Sequence, residues 1–461
     1  MAEKAQKQIA EMVGKARAAM AEIKDYSQAE IDELCRQLAL ASVQENTAQE
    51  IADLAVEETK MGEKNDKKMK ITKKVRGAWA DIKDQKSVGK ISENKKTGIV
   101  KFAKPVGVIG GIVPCTNPEA TPPVKALFAI KGRNAVIFSP HPRSKKTSTL
   151  MVNVMRKALE KAGAPADLLQ IVEEPSLELT NEIMRQVDLV VATGGGSMVK
   201  AAYSSGTPAY GVGPGNASII VDETADIVDA AEKIMKGKTF DHGTSCSTEN
   251  SLVVEASIYD QLMAELAKRG GYLTTAAEKE KLTAAFFVEG YHLNKGLICR
   301  PAKVIADAAG LKTDREVKFL IVEEDGVGKE HPYSGEKLSV ILTVYKYSGF
   351  ENALDRVEEI LNFQGLGHSC GIHSFNEEHI NALGERANVS RIMVRQSQSY
   401  ANSGNWDNGM PFTLSLGCGT WGGNITTENI TLKHFLNVTW LAKPIKAELP
   451  SDLELFGEEV K

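Results

Sequence analysis

The sequence predicts an α/β protein in which a doubly wound parallel sheet is joined to a second α/β domain. Three observations carry this reading. Short apolar runs at residues 106–113, 134–138, 169–172 and 187–192 have the length and continuity of strands buried on both faces. Helical segments at 120–131, 144–162 and 177–185 separate them, one to each gap, which implies right-handed crossovers. The fourth run ends in Gly194-Gly195-Gly196-Ser197, a glycine turn leading into a further helix near Met198.

Composition fits such a fold and excludes others. The chain has 461 residues, 42% hydrophobic and 25% charged, with a formal net charge of -4. At about 150 residues per domain that is two or three domains. No apolar run approaches the roughly 18–20 residues needed to cross a bilayer, so no membrane partner is expected. The first twenty residues are charged throughout and lack the apolar centre of a secretory signal. Cys35, Cys115, Cys246, Cys299, Cys370 and Cys418 are far apart and form no C-x-x-C pair. Neither a disulfide scaffold nor a metal site of clustered cysteines is expected, and the thiols imply a reducing, cytoplasmic setting.

The first sixty residues read as helices. Ser27 and Glu30 make a capping box, and Ile31, Leu34, Leu38, Leu40 and Val43 follow at near-helical spacing. Ile51, Leu54 and Ala55 mark the next helix. Residues 60–104 then hold fifteen Lys/Arg against five Asp/Glu. Such a segment reads either as a solvated helical and hairpin surface or as a neighbour for a polyanionic ligand. It lacks the interleaved aromatics of a nucleic-acid groove, so no nucleic-acid partner is expected.

Ser139-Pro140-His141-Pro142-Arg143 follows the second strand at its carboxyl end, where open α/β sheets gather ligands. The glycine turn at 194–196 lets backbone N–H groups approach a phosphate, although it lacks the G-x-G-x-x-G spacing and also suits a plain tight connection. Lying on successive crossovers, the two turns together point to a dinucleotide crevice. Cys246 stands among small polar residues, Gly243-Thr244-Ser245-Cys246-Ser247-Thr248, ahead of the apolar strand at 252–254. A thiol so placed is a candidate nucleophile, whereas Cys35 and Cys299 read as structural.

These stretches resemble the CoA-acylating branch of the aldehyde dehydrogenase family. The likeness rests on Val113-Pro114-Cys115-Thr116-Asn117-Pro118, on 139–142, 192–195 and 201–206, and on Gly211-Val212-Gly213-Pro214-Gly215-Asn216. It continues through the Cys246 segment, Gly367-His368-Ser369 and 416–422, in order and spacing from about residue 10 to 445. The resemblance implies a Rossmann-type cofactor domain at 1–235, a catalytic domain at 236–425 and a tail at 426–461 that packs back and supports oligomerisation.

It also implies roles. Cys246 matches the nucleophile that forms a thiohemiacetal and then, after hydride loss, a thioester. Asn117 matches the oxyanion amide, acting with the Cys246 backbone N–H. Ser139, Pro140, His141, Arg143, Gly194, Gly195, Gly213 and Gly215 match the cofactor region for NAD or NADP, and Glu336 the glutamate that holds the nicotinamide ribose. A departure lies beside Glu336, where Val340 replaces a proline. His368 matches a position near the nucleophile, with proton transfer and a structural role both open.

An absence is informative. Hydrolytic relatives carry a glutamate base where this chain reads Tyr210-Gly211-Val212-Gly213-Pro214-Gly215. Without it water is a poor attacker and a thiol is the better one, which favours CoA as co-substrate. Arg391 and Arg395 would share one face of an alternating strand and are candidates to hold an anionic tail, so sulfoacetaldehyde or succinate semialdehyde is the expected aldehyde. The rival readings are a hydrolytic semialdehyde dehydrogenase, a neutral short aldehyde as substrate, and a non-catalytic nucleotide-binding subunit. No metal is expected, and the assembly is expected to be a homodimer or homotetramer. The first helix begins almost at Met1, without the spare helix and linker of a microcompartment-targeting extension, which agrees with free cytoplasm.

Overall fold

In the computed structural model, residues 2–313 and 315–460 are described. The alternating apolar runs form a five-stranded parallel sheet. Its order is Leu169–Ile171, Ala135–Pro140, Val108–Val113, Leu189–Thr193 and Ala209–Val212. The strand order reverses beside Val108–Val113, so the crevice at its carboxyl end lies where ligands bind in such sheets. Helices Thr121–Lys131, Lys145–Lys161 and Leu177–Gln186 connect the strands as expected.

A second, seven-stranded sheet is also parallel throughout. It runs Gly271–Leu273, Phe319–Glu323, Ile341–Tyr347, Glu249–Glu255, Ala217–Val221, Cys370–His373 and Ile392–Val394. The division expected at residues 235 and 236 therefore moves. Ala217–Val221 pairs with Glu249–Glu255, and Ile219, Val221, Ala231 and Ile234 pack into the core of the second sheet. Residues 217–235 thus belong with the second sheet. Conversely Phe412, Ile430, Leu432 and Phe435 return to the core of the first.

The tail closes the chain back onto its start. Leu436–Ala442 pairs antiparallel with Ile99–Pro105, which also pairs with Gly89–Asn94, giving a three-stranded sheet.

Four helices precede it: Ala2–Glu22, Gln28–Ser42, Glu45–Thr59 and Lys64–Ile82. Ser27 caps the second, with the reciprocal Glu30 contact in place. Ile31, Leu34, Cys35 and Leu38 are buried, while Leu40 is 44% exposed. Nine residues after Ile31 is about two and a half turns, which puts Leu40 on the far face. The basic fourth helix is not a solvated surface throughout. Lys67, Lys70 and Lys74, spaced i, i+3, i+7, are buried along one face. Among the described residues no helix is long and apolar enough to cross a membrane.

Candidate active site

Cys246 sits in the connection between helix Ile227–Thr239 and strand Glu249–Glu255. Three consecutive left-handed residues, Asp241 (φ 48), His242 (φ 49) and Gly243 (φ 76), bend the chain there. For the two non-glycines this conformation is costly, and the surroundings hold it. The Asp241 carboxylate accepts from the Glu63 backbone N–H (2.8 Å), Lys67 Nζ (3.1 Å), Lys70 Nζ (2.6 Å) and Thr244 Oγ1 (2.5 Å). Against its burial, the two ammonium groups keep the Asp241 carboxyl below the usual carboxylate range. Glu119, fully buried, lies 3.6 Å from both lysines and completes the cluster.

The segment that lacks the glutamate packs directly against Cys246. A Cβ on Gly215 would stand 1.7 Å from the Cys246 carbonyl oxygen, so only glycine fits. The Asn216 side chain anchors the same segment to the carbonyls of Ser334 (2.9 Å) and Gln364 (3.0 Å).

On the other side, His368 Nε2 lies 3.1 Å from Cys246 Sγ, and its Nδ1 lies 2.9 Å from Ser369 Oγ. Gly367 precedes it at φ +79, where a Cβ would meet the Cys418 carbonyl at 1.8 Å. Burial, with the Arg391 charge adding to it, pushes the His368 imidazole down to about 3. It is a neutral acceptor at ordinary pH. Burial, with the Glu336 carboxyl adding to it, pushes the Cys246 thiol up to about 12. The resting pair is therefore a thiol beside a neutral imidazole, with sulfur and nitrogen at hydrogen-bond distance.

One cavity of about 320 Å³ collects half of the expected residues. Cys246, Asn117, His141, Gly194, Gly195, Gly213 and Glu336 all line it, together with Lys70 and Lys74. Asn117 stands between strand Val108–Val113 and helix Thr121–Lys131, its carbonyl accepting from Thr121 N–H at 3.2 Å. Burial pushes the Glu336 carboxyl up to about 8, and the Gly215 backbone N–H works the other way.

The glycine turn suits a dinucleotide phosphate. Gly195 caps the eight-residue helix Gly196–Tyr203, and nothing stands within 4 Å of where a Cβ on Gly195 or Gly196 would be. Backbone N–H groups at that helix start face open space. His141, whose backbone N–H bonds the Val113 carbonyl at 3.1 Å, is exposed across the cavity mouth.

Other expected residues stand apart. Ser139 is buried and pairs with Thr180 at 2.8 Å, and Pro140 is buried at the strand end. Arg143 donates to the Thr59 carbonyl at 3.0 Å. Arg391 does not face the cavity. Its two terminal nitrogens donate to the carbonyls of His368 (2.9 Å) and Gly417 (2.8 Å) and to Asn429 Oδ1 (3.2 Å), while its buried Nε has no hydrogen-bond partner among the described residues. It positions His368. Arg395 lies on a different cavity, donating to the Ser374 carbonyl and stacking 4.5 Å from the Phe375 ring. The strand is only Ile392–Val394, and Arg395 is left-handed at φ 52, so the alternation assumed for the two arginines does not extend to it.

A comparison with protein-family profiles matches residues 1–284 to the aldehyde dehydrogenase family. The chain belongs to the aldehyde dehydrogenase family. Within it, the chain is 49% identical over 453 residues to a sulfoacetaldehyde dehydrogenase of Acholeplasma sp, covering 97% of this chain and 93% of that one. It is 46% identical over 458 residues to an acylating sulfoacetaldehyde dehydrogenase of Bilophila wadsworthia, covering 98% of each. An acetylating aldehyde dehydrogenase of Geobacillus thermoglucosidasius superposes with a TM-score of 0.94 at 38% identity, over 98% of this chain and 99% of that structure.

The residues that sequence reading missed in this aldehyde dehydrogenase are Lys67, Lys70, Lys74, Glu119 and Asp241. A signal existed for the lysines, since 67, 70 and 74 fall on one helical face.

Proposed function

We propose that this aldehyde dehydrogenase is CoA-acylating and oxidises a short anionic aldehyde, with sulfoacetaldehyde the foremost candidate, to its acyl-CoA. In this reading Cys246 attacks the aldehyde carbonyl, and His368 takes the thiol proton. The Asn117 amide and the Cys246 backbone N–H hold the oxyanion. NAD or NADP, when held by this chain, would supply the hydride acceptor. Hydride loss leaves a thioester on Cys246, which the CoA thiol attacks. His141, Gly194, Gly195 and Glu336 would hold the dinucleotide.

The observation that carries the reading is the pairing of Cys246 Sγ with His368 Nε2 at 3.1 Å while glycine, valine and proline, and no carboxylate, occupy 211–215 against the nucleophile. A base serves a thiol here, and none is supplied for water from the segment that provides it in hydrolytic relatives. The acylating and acetylating relatives support the same conclusion.

The test is NADH or NADPH formation across sulfoacetaldehyde, succinate semialdehyde and propanal, each with and without CoA. Product expected is acyl-CoA, with multiple turnovers only when CoA is present, and the two nucleotides compared side by side. Sustained reduction of nucleotide without CoA would overturn the reading in favour of hydrolysis. We also place the enzyme in the cytoplasm as a homo-oligomer. The exposed Trp440 and Leu441 on the returning strand support the second point.

A further inference from the structure

Three buried lysines reach the site from helix Lys64–Ile82, and two of them meet counter-charges. Lys67 and Lys70 face Asp241 and Glu119. Lys74 does not. Its Nζ donates to the backbone carbonyls of Ser403 (3.1 Å) and Gly404 (2.7 Å) and lies 5.5 Å over the Phe412 ring. Among the described residues no carboxylate stands at ion-pair distance from it, and its nearest charges are Lys73 and Lys70. An ammonium has three donors, and two carbonyls leave one over.

Lys74 lines the cavity that contains Cys246 and Asn117. Position along the helix gives the scale. Lys70 holds Asn117 through its side-chain oxygen, and Lys74 follows one turn later, about 6 Å along the axis. A step of that size suits a short molecule with a reactive carbonyl at one end and a charged group at the other. Ser399 and Ser403 line the same cavity beside the apolar Phe240 and Leu414.

We propose that Lys74 is the specificity-determining residue of the site, its Nζ receiving the sulfonate or carboxylate end of a short aldehyde whose carbonyl lies between Cys246 and Asn117. The assignment rests on the acylating reading above and names the group that selects its substrate. It also replaces Arg395, which faces another cavity, and Arg391, which does not line this one and whose terminal nitrogens are held by backbone carbonyls. Burial and the like charges of Lys73 and Lys70 hold the Lys74 ammonium well below the ordinary lysine range. An anion brought beside it reverses that shift, so binding of the tail and retention of the proton reinforce each other.

Kinetics of Lys74→Met, Lys74→Arg and Arg395→Ala with sulfoacetaldehyde, succinate semialdehyde and propanal, all with CoA, test the assignment. Lys74→Met should raise KM for an anionic aldehyde about thirtyfold and for propanal no more than about threefold, the difference being one desolvated charge pair. Lys74→Arg should restore most of the anionic preference. Whichever anion loses more identifies the tail that the site is built for. An equal rise for all three aldehydes, or a loss of preference confined to Arg395→Ala, would overturn it.

A second measurement covers a variant that fails to fold or a wild type without CoA-dependent turnover. Calorimetric binding of ethanesulfonate to the wild-type protein, compared with the neutral ethyl methyl sulfone, reads the anion site directly. Binding of the sulfonate alone supports Lys74. Equal binding of both, or of neither, refutes an anion site there. Absent turnover with every aldehyde, alongside intact sulfonate binding, would instead fault the acylating reading.

Discussion

Lys70 donates its Nζ to Oδ1 of Asn117 at 2.5 Å, and that contact sets which way round the amide lies. A lysine has only donors, so the atom it touches is the oxygen. The Asn117 Nδ2 is left with one neighbour, Thr116 Oγ1 at 3.1 Å, and a second N–H for an oxyanion. Lys70→Met should therefore lower kcat by about 10- to 100-fold with KM little changed, a fraction of what loss of an oxyanion donor costs. Asn117→Ala should lower it further, by about 100-fold or more. In the double variant the two effects should not add, because one acts through the other. Additive losses would show that Lys70 works elsewhere.

Alkylation reads the Cys246–His368 pair. With the thiol pushed up to about 12, its thiolate fraction grows tenfold per pH unit across the neutral range. Inactivation of the nucleotide-free enzyme by iodoacetamide should keep rising about tenfold per unit from pH 7 to 9 without a plateau. A plateau near pH 7 would mean that the resting thiolate is already stabilised.

Gly215→Ala tests the packing under the nucleophile. Its Cβ would overlap the Cys246 carbonyl oxygen, at 1.7 Å, and something must shift. Displacing the nucleophile by about 1 Å is expected to cost about 100-fold in kcat. The thermal midpoint should fall by only a few degrees, since overpacking costs about 1–3 kcal/mol. Unchanged turnover would mean that the segment yields in place of Cys246.

Asp241→Ala removes the carboxylate shared by Lys67 and Lys70, both buried. Leaving two buried ammonium groups with Glu119 as their one remaining carboxylate partner among the described residues should cost about 3–5 kcal/mol of stability, measured by denaturant unfolding. Relief of the left-handed backbone at this position returns little of that, because alanine also disfavours it.

Glu249 supplies a pH test of stability. Burial pushes its carboxyl up to about 8, while Gln398 N–H at 2.6 Å opposes the shift. The native state holds a proton that the unfolded chain gives up near the ordinary glutamate value, so this contribution is full at low pH and disappears as pH rises towards 8. Glu249→Gln should flatten the decline in thermal midpoint between pH 5 and 8. An identical decline in the variant would assign it to other groups, Glu336 first among them.

Strands and crossovers were legible because a buried parallel strand writes itself as an unbroken apolar run, as at 106–113. Cys246, His141 and the 194–195 turn were singled out because each follows or precedes such a run, and Asn117 through the family resemblance; they line one cavity because loops at strand ends meet in space. Two things were hidden. Alternation of strand and helix continues through Ala217–Val221, and nothing in that rhythm says which sheet the strand joins. Lysine is the residue type least expected inside, so Lys67, Lys70 and Lys74 read as one basic run with their exposed neighbours. Their partners, Asp241 and the carbonyls of Ser403 and Gly404, lie 171 to 330 residues away. The Arg391 and Arg395 pairing failed for a local reason, a strand of only three residues.

The strand Leu436–Ala442 has a consequence for how the protein is born. It hydrogen-bonds to Ile99–Pro105, a segment that leaves the ribosome more than three hundred residues earlier. Until the last part of the chain is released, Ile99–Pro105 presents an unpaired edge, the kind of surface that invites the wrong partner. Both sheets can assemble meanwhile, but Lys74 waits for Ser403 and Gly404 before its ammonium has acceptors. Competence for catalysis should thus arrive late and all at once, and a nascent chain shortened before residue 403 would hold its nucleophile without a finished pocket.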